Sequence, residues 1–228
     1  AVPDIEELEV SPFAFEERNG ILFIGSFRHP PNCEAAVYLL REILPLVDPA
    51  LLARHPLRIV GTDLPEEIIA LARKSPHVEI VGWVPSINPY LERARISVLP
   101  LRSGAGTKRK FIQSAMIGTP AVATTIAAEG LHLVHGIDTL IADEPVAFAR
   151  SIEQLLVNEH TWSRLSGNAR KVVLRSHGRS FGRERLLQAL SPAAVVEAQP
   201  IVVQPAEVSD PDQVQWTCNI CGAAHLNR

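Results

Sequence analysis

Short apolar runs of about five residues recur along the chain, each followed by a stretch with helical spacing, and this alternation limits the possible folds more than any other feature. The runs are Ile21-Leu-Phe-Ile-Gly25, Leu57-Arg-Ile-Val-Gly61, Val78-Glu-Ile-Val-Gly82, Ile96-Ser-Val-Leu-Pro100, Ala121-Val-Ala-Thr124 and Leu140-Ile-Ala142. Helical patterns cover residues 32–47, 65–74, 88–93 and 108–117, and others follow at 146–157, 160–175 and 180–190. Strands that are apolar on both faces and alternate with helices build βαβ units. The predicted fold is therefore α/β, a doubly wound parallel sheet with helices on both faces. Ligands of such sheets sit beyond the carboxyl ends of the strands, so the loops after Ile24, Val60, Val81, Leu99 and Thr124 are where function is expected.

Composition fits one such domain with an appended tail. Of 228 residues, 46% are hydrophobic and 21% charged, and 22 Lys and Arg against 25 Asp and Glu leave a net charge of -3. That balance offers no bulk attraction to nucleic acid or anionic lipid, so nucleic acid is not an expected partner and any anion site must be local. Cys33, Cys218 and Cys221 are too few for a disulfide framework, which points to a reducing compartment. The sequence has no signal-peptide pattern and no apolar run near the roughly 20 residues that span a bilayer, so a soluble, cytoplasmic protein is expected.

Residues 1–20 have no sustained period and read as an interdomain segment, with the folded domain, residues 21–190, expected to begin at Ile21. Pro192, Pro200, Pro205 and Pro211 mark 191–215 as a linker. Residues 216–228 then open a further, truncated domain. There Cys218-Asn-Ile-Cys221 followed by Gly222 is half of a zinc knuckle, which makes Cys218 and Cys221 candidate metal ligands; a redox dithiol is the alternative.

The segment Pro100-Leu-Arg-Ser-Gly-Ala-Gly-Thr-Lys-Arg-Lys110 carries the strongest chemical signal. Gly104 and Gly106 let the backbone approach a ligand closely, and a helix capped at Thr107 would place Lys108, Arg109 and Lys110 in its first turn, against the macrodipole. A phosphate or pyrophosphate would compensate them, and a solvated basic turn is the other reading. In Gly25-Ser-Phe-Arg-His-Pro-Pro-Asn32, Asn32 is the expected helix cap, and Arg28 and His29 are expected to face the glycine loop. Glu129 could accept hydrogen bonds from sugar hydroxyls, and Asp143, before Glu144-Pro145, reads as a plain helix cap.

Five strings occur in order: Ile21-Leu-Phe-Ile-Gly-Ser-Phe-Arg-His-Pro-Pro-Asn32, Val81-Gly-Trp-Val-Pro85, Gly104-Ala-Gly-Thr-Lys108, Gly118-Thr-Pro-Ala-Val122 and Ala128-Glu-Gly-Leu131. Together they resemble the carboxyl-terminal, donor-binding half of a GT-B glycosyltransferase of the group 1 (GT4) family, over residues 20–190. The resemblance implies a bacterial enzyme that transfers a sugar from a nucleotide-diphosphate sugar to a saccharide or other large acceptor in polysaccharide biosynthesis. It implies that the base lies against Trp83 and Val84. The diphosphate would meet Arg28 or His29, Gly104, Gly106 and Lys108, the ribose Gln113, and Ser26, Glu129 and Gly130 would also border the donor. His29 and Glu129 are the catalytic candidates, and no separate cofactor is required. The amino-terminal acceptor domain is missing, so the isolated chain is expected to be inactive, and membrane association would come only through that missing part. Many relatives carry Glu where this chain has Gln113, a departure in keeping with the alternative that the domain is a non-catalytic interaction module.

Overall fold

A computed structural model describes residues 8–106, 108–190, 215–217 and 224–226. The six apolar runs are strands: β1 (Ile21–Ser26), β2 (Leu57–Thr62), β3 (Val78–Gly82), β4 (Ile96–Leu99), β5 (Ala121–Ala123) and β6 (Leu140–Ile141). They form one parallel sheet in the order β3-β2-β1-β4-β5-β6. The helices are α1 (Pro30–Tyr38), α2 (Pro49–Arg54), α3 (Glu66–Ala72), α4 (Asn88–Arg93), α5 (Arg109–Ile117), α6 (Thr125–Ala128), α7 (Pro145–Val157), α8 (Glu159–His177) and α9 (Arg179–Leu190). The predicted doubly wound fold is thus the observed one, with the chain winding outward from β1 to β3 and then, in the other direction, from β4 to β6.

Side-chain alternation along each strand divides the core between two faces. On one, Ile21, Phe23, Leu57 and Ile59 pack against Leu39, Ile43, Ile68 and Phe148. On the other, Leu22 and Val60 meet Leu91, Ala94 and Ile117, and Leu99, Ala121 and Ala123 meet Phe111, Met116 and Val173. Each of the larger buried side chains contributes about 1.5–3 kcal/mol, so the sheet is held from both sides. Gly25 and Gly61 stand side by side near the carboxyl ends of β1 and β2. A Cβ on Gly61 would lie 1.6 Å from the Gly25 carbonyl oxygen, so only glycine allows these strands to approach there.

Several local expectations are corrected. The folded body does not begin at Ile21: Phe15 is buried edge-on against Trp162, and the buried Arg18 guanidinium donates to Thr119 Oγ1 at 2.8 Å. Nor is Asn32 a helix cap. α1 starts at Pro30, because two prolines without N–H groups suit the first two helical positions, and it continues through a π turn (Leu39–Ile43) and a 3-10 turn (Leu44–Leu46). Helices α2 and α6 were not anticipated.

The chain divides into two compact units, one up to Leu187 and one from Gln188. In the second, β7 (Gln215–Thr217) and β8 (Ala224–Leu226) pair antiparallel. Cys218 and Cys221, and residues 191–214, lie outside the described residues. Among the described residues no helix is long and apolar enough to cross a membrane, and no group of three or more His, Cys, Asp or Glu could hold a metal ion.

Candidate functional site

β1 and β4 are neighbours in the sheet, yet α1 packs on one face and α5 on the other, so their carboxyl ends bound the crevice at the topological switch point. On the β1 side, Asn32 occupies the first turn of α1. Its Nδ2 donates to the Ser26 carbonyl at 2.7 Å. On the β4 side, Gly104 and Gly106 have φ of +111° and +89°, a region that favours glycine. A Cβ at Gly104 would sit 3.3 Å from Pro31 Cβ, whereas one at Gly106 would meet nothing within 4 Å. The glycine loop therefore rests on the start of α1 at Gly104 and is open at Gly106. Ser103 Oγ, donating to Glu34 Oε2 at 2.6 Å, ties the same loop to α1 a second time.

The lysines of this loop take different roles. Thr107, the expected cap, lies outside the described residues, and Lys108 holds the N-cap position without a side-chain cap. Lys108 is 7% exposed, and its Nζ turns back to donate to the Gly104 carbonyl at 2.8 Å, closing its own loop. Lys110, in the first turn of α5, instead reaches across the crevice and donates to Asn32 Oδ1 at 2.8 Å. It forms no ion pair among the described residues, and burial pushes its ammonium down to about 8. A half-buried ammonium bonded to one neutral amide, beside an uncapped helix start, is an unbalanced positive site. An anion entering the crevice would balance it.

Of the other residues singled out from the sequence, Ser26 ends β1 within this crevice. Arg28 does not face the glycine loop as expected: its Nε donates to Asp63 Oδ2 at 3.0 Å beside β2, with 77% of its side chain exposed. A hydrogen bond from Thr62, and then Arg28 itself, hold the Asp63 carboxyl below its usual range. His29 takes the N-cap position of α1 and makes no side-chain cap bond. Trp83, 70% exposed, follows β3, which β2 separates from β1. Val84 lines a cleft of about 580 Å³ with Pro85, Pro89 and Tyr90. Gln113 is half-buried one turn beyond Lys110.

Glu129 follows α6 and is exposed, and Gly130 has φ of +76°. The α6 turn is joined to the root of the glycine loop by Thr124, whose hydroxyl donates to the Leu101 carbonyl at 2.5 Å and accepts from Ala127 N at 3.3 Å. Asp143 is not the cap of α7, whose N-cap position is Glu144. Its carboxylate accepts from Thr125 N at 2.8 Å and Thr125 Oγ1 at 2.6 Å. The Asn32–Lys110 bridge has no local signal in the sequence, although an asparagine after Pro30-Pro31 and a basic triplet after a glycine loop are both visible there.

A family model for group 1 glycosyl transferases matches residues 18–158, more than half of the chain and every strand of the parallel sheet. The chain belongs to that family. Among solved structures it is similar to TarM of S. aureus, with 16% identity over 82% of this chain and 38% of that one and a TM-score of 0.62. HepE of Anabaena in complex with UDP and glucose gives 14% identity, 78% and 49% coverage and a TM-score of 0.65. WaaG, a glycosyltransferase involved in lipopolysaccharide biosynthesis, gives 17%, 75% and 47%, and 0.61. This group 1 glycosyl transferase chain spans less than half the length of each of these neighbours. No curated protein sequence matches it. At such identities the likeness concerns the fold, and it agrees with the GT-B half expected from the sequence.

Proposed function

We propose that this chain is the donor-binding half of a GT4-type transferase that moves a sugar from a nucleotide-diphosphate sugar to a saccharide or other large acceptor, in bacterial polysaccharide biosynthesis. The observation that carries the reading is Lys110, which is half-buried at the switch point and, among the described residues, bonded to the neutral amide of Asn32. Cleavage of a sugar nucleotide develops negative charge on the departing diphosphate. The open glycine loop, the start of α5 and Lys110 offer preorganised positive charge where that group would lie, and Lys108 keeps the loop closed behind it. UDP or UDP-glucose occupies HepE in several of the similar structures, which makes a uridine donor the first to test.

Trp83 and Val84 would border the base and Gln113 the ribose, while Glu129, Gly130 and His29 would lie nearer the sugar. The acceptor wall belongs to an amino-terminal domain, so the 228-residue protein binds donor but transfers nothing. Orienting an acceptor against the anomeric carbon supplies roughly 7–11 kcal/mol of the barrier reduction, which in this reading comes from that amino-terminal domain. Titration calorimetry with UDP, GDP, ADP and TDP tests the reading: one of them should bind, and Lys110→Gln should weaken it tenfold or more. Absence of binding by all four would favour the interaction-module alternative.

A further inference from the structure

Asp143 lies outside every role assigned above, yet it gathers three hydrogen bonds at the carboxyl edge of the sheet. Its backbone carbonyl accepts from Tyr38 Oη at 2.6 Å, and its carboxylate accepts from both the N–H and the hydroxyl of Thr125. Tyr38 belongs to α1, and the Arg102 guanidinium at the root of the glycine loop stands over its ring at 4.9 Å. Thr125 is the first residue of α6. A helix of four residues cannot hold its own shape, because nucleation alone outweighs its few internal bonds. α6 therefore takes its position from what holds it: Ala127, buried beside Leu131 in the core, Thr124 on the Leu101 carbonyl and Thr125 on Asp143. What α6 presents at its far end is Glu129-Gly130, with the chain reversing at Gly130.

We propose that Asp143 is a positioning residue that, by holding Thr125, sets where the Glu129–Gly130 turn meets the sugar of the bound donor. The inference rests on the donor-binding reading above and deepens it. Asp143 acts on the sugar end of the ligand, whereas Lys110 acts on the diphosphate. The two ends are separable by comparing each nucleoside diphosphate with its sugar nucleotide.

The test is calorimetric titration of the 228-residue protein with UDP and UDP-glucose, and with GDP and GDP-mannose, taking the ratio of sugar-nucleotide to diphosphate affinity as the readout. Asp143→Ala should change that ratio threefold or more while diphosphate affinity stays within twofold. Thr125→Val should reproduce the change and stands in if the first variant fails to fold. Asp143→Asn, which can accept from Thr125 N and donate to its hydroxyl, should restore the original ratio. An unchanged ratio in both Asp143→Ala and Thr125→Val overturns the proposal, as does equal weakening of both ligands. Failure of Asp143→Asn to rescue would mean that the charge itself acts on the donor, which also overturns positioning. If the unsubstituted protein binds none of the four ligands, the donor-binding reading fails and this inference falls with it.

Discussion

Buried cations stand at both ends of the sheet, and they are treated in opposite ways. Before the amino ends of β1 and β4, Arg18 and Arg95 are 2% and 5% exposed. Arg18 donates to the Phe13 carbonyl and to Thr119 Oγ1 and stands 4.9 Å from the Trp162 ring. Arg95 donates to the Arg18 carbonyl, lies 3.5 Å over Phe15, and accepts through its own carbonyl from Trp162 Nε1. Burial lowers Arg18 to about 10, with Glu92 acting in the other direction and Arg95 adding to the fall, so the guanidinium is still charged at neutral pH. At the carboxyl ends Lys110 has, among the described residues, one amide and no ring. A cation enclosed by carbonyls, a hydroxyl and rings is structural; one that reaches into the crevice with a single neutral amide beside it is poised for a ligand.

The largest effect should come from breaking the amino end. Arg18→Ala removes two charge-assisted hydrogen bonds and a cation–π contact, and should lower folding stability by about 3 kcal/mol in denaturant titration, with nucleotide affinity of the remaining folded protein unchanged. Lys110→Gln should do the reverse. Diphosphate binding falls by about 1.5–3 kcal/mol, while stability is kept or slightly raised because a poorly solvated charge is gone.

A pH titration sharpens the same contrast. The folded protein binds the Lys110 proton less tightly than the unfolded chain, whose lysines titrate near 10.4, so stability should rise as pH increases from about 8 towards 10.4. Diphosphate affinity should fall over the same rise, since the anion prefers the charged ammonium. Lys110→Arg, charged throughout, should remove both dependences. The smallest effect concerns His55, which burial, then Arg95 and Arg54, lower to about 4. Its contribution is present above the unfolded value near 6.5 and is lost as pH falls through 4, so His55→Asn should flatten the acid limb of stability between those values.

The sheet was legible because strands buried on both faces show as apolar runs whatever the surrounding chain does. Helix starts were less so. Asn32 looked like a cap, and two prolines ahead of it moved the true start to Pro30. The site was half legible. The glycine loop and basic triplet stood out, yet which lysine enters the crevice depends on helical phase. With α5 starting at Arg109, position 108 falls back on the loop and position 110 reaches Asn32. Arg18 and Arg95 were invisible as core residues because their partners are carbonyls and rings distant in sequence, which no local period encodes.

Buried Phe15 and Arg18 also decide where the polypeptide can be cut. Removing everything before Ile21 would strip the aromatic lid from Arg95, take away the carbonyl it donates to, and uncover Trp162. Thr119 would lose its guanidinium partner at the same time. A protein begun at Leu8 keeps these contacts, whereas one begun at Ile21 exposes a ring and an unsatisfied charge together, the combination that draws unfolded chains into aggregates and proteases to an opened end.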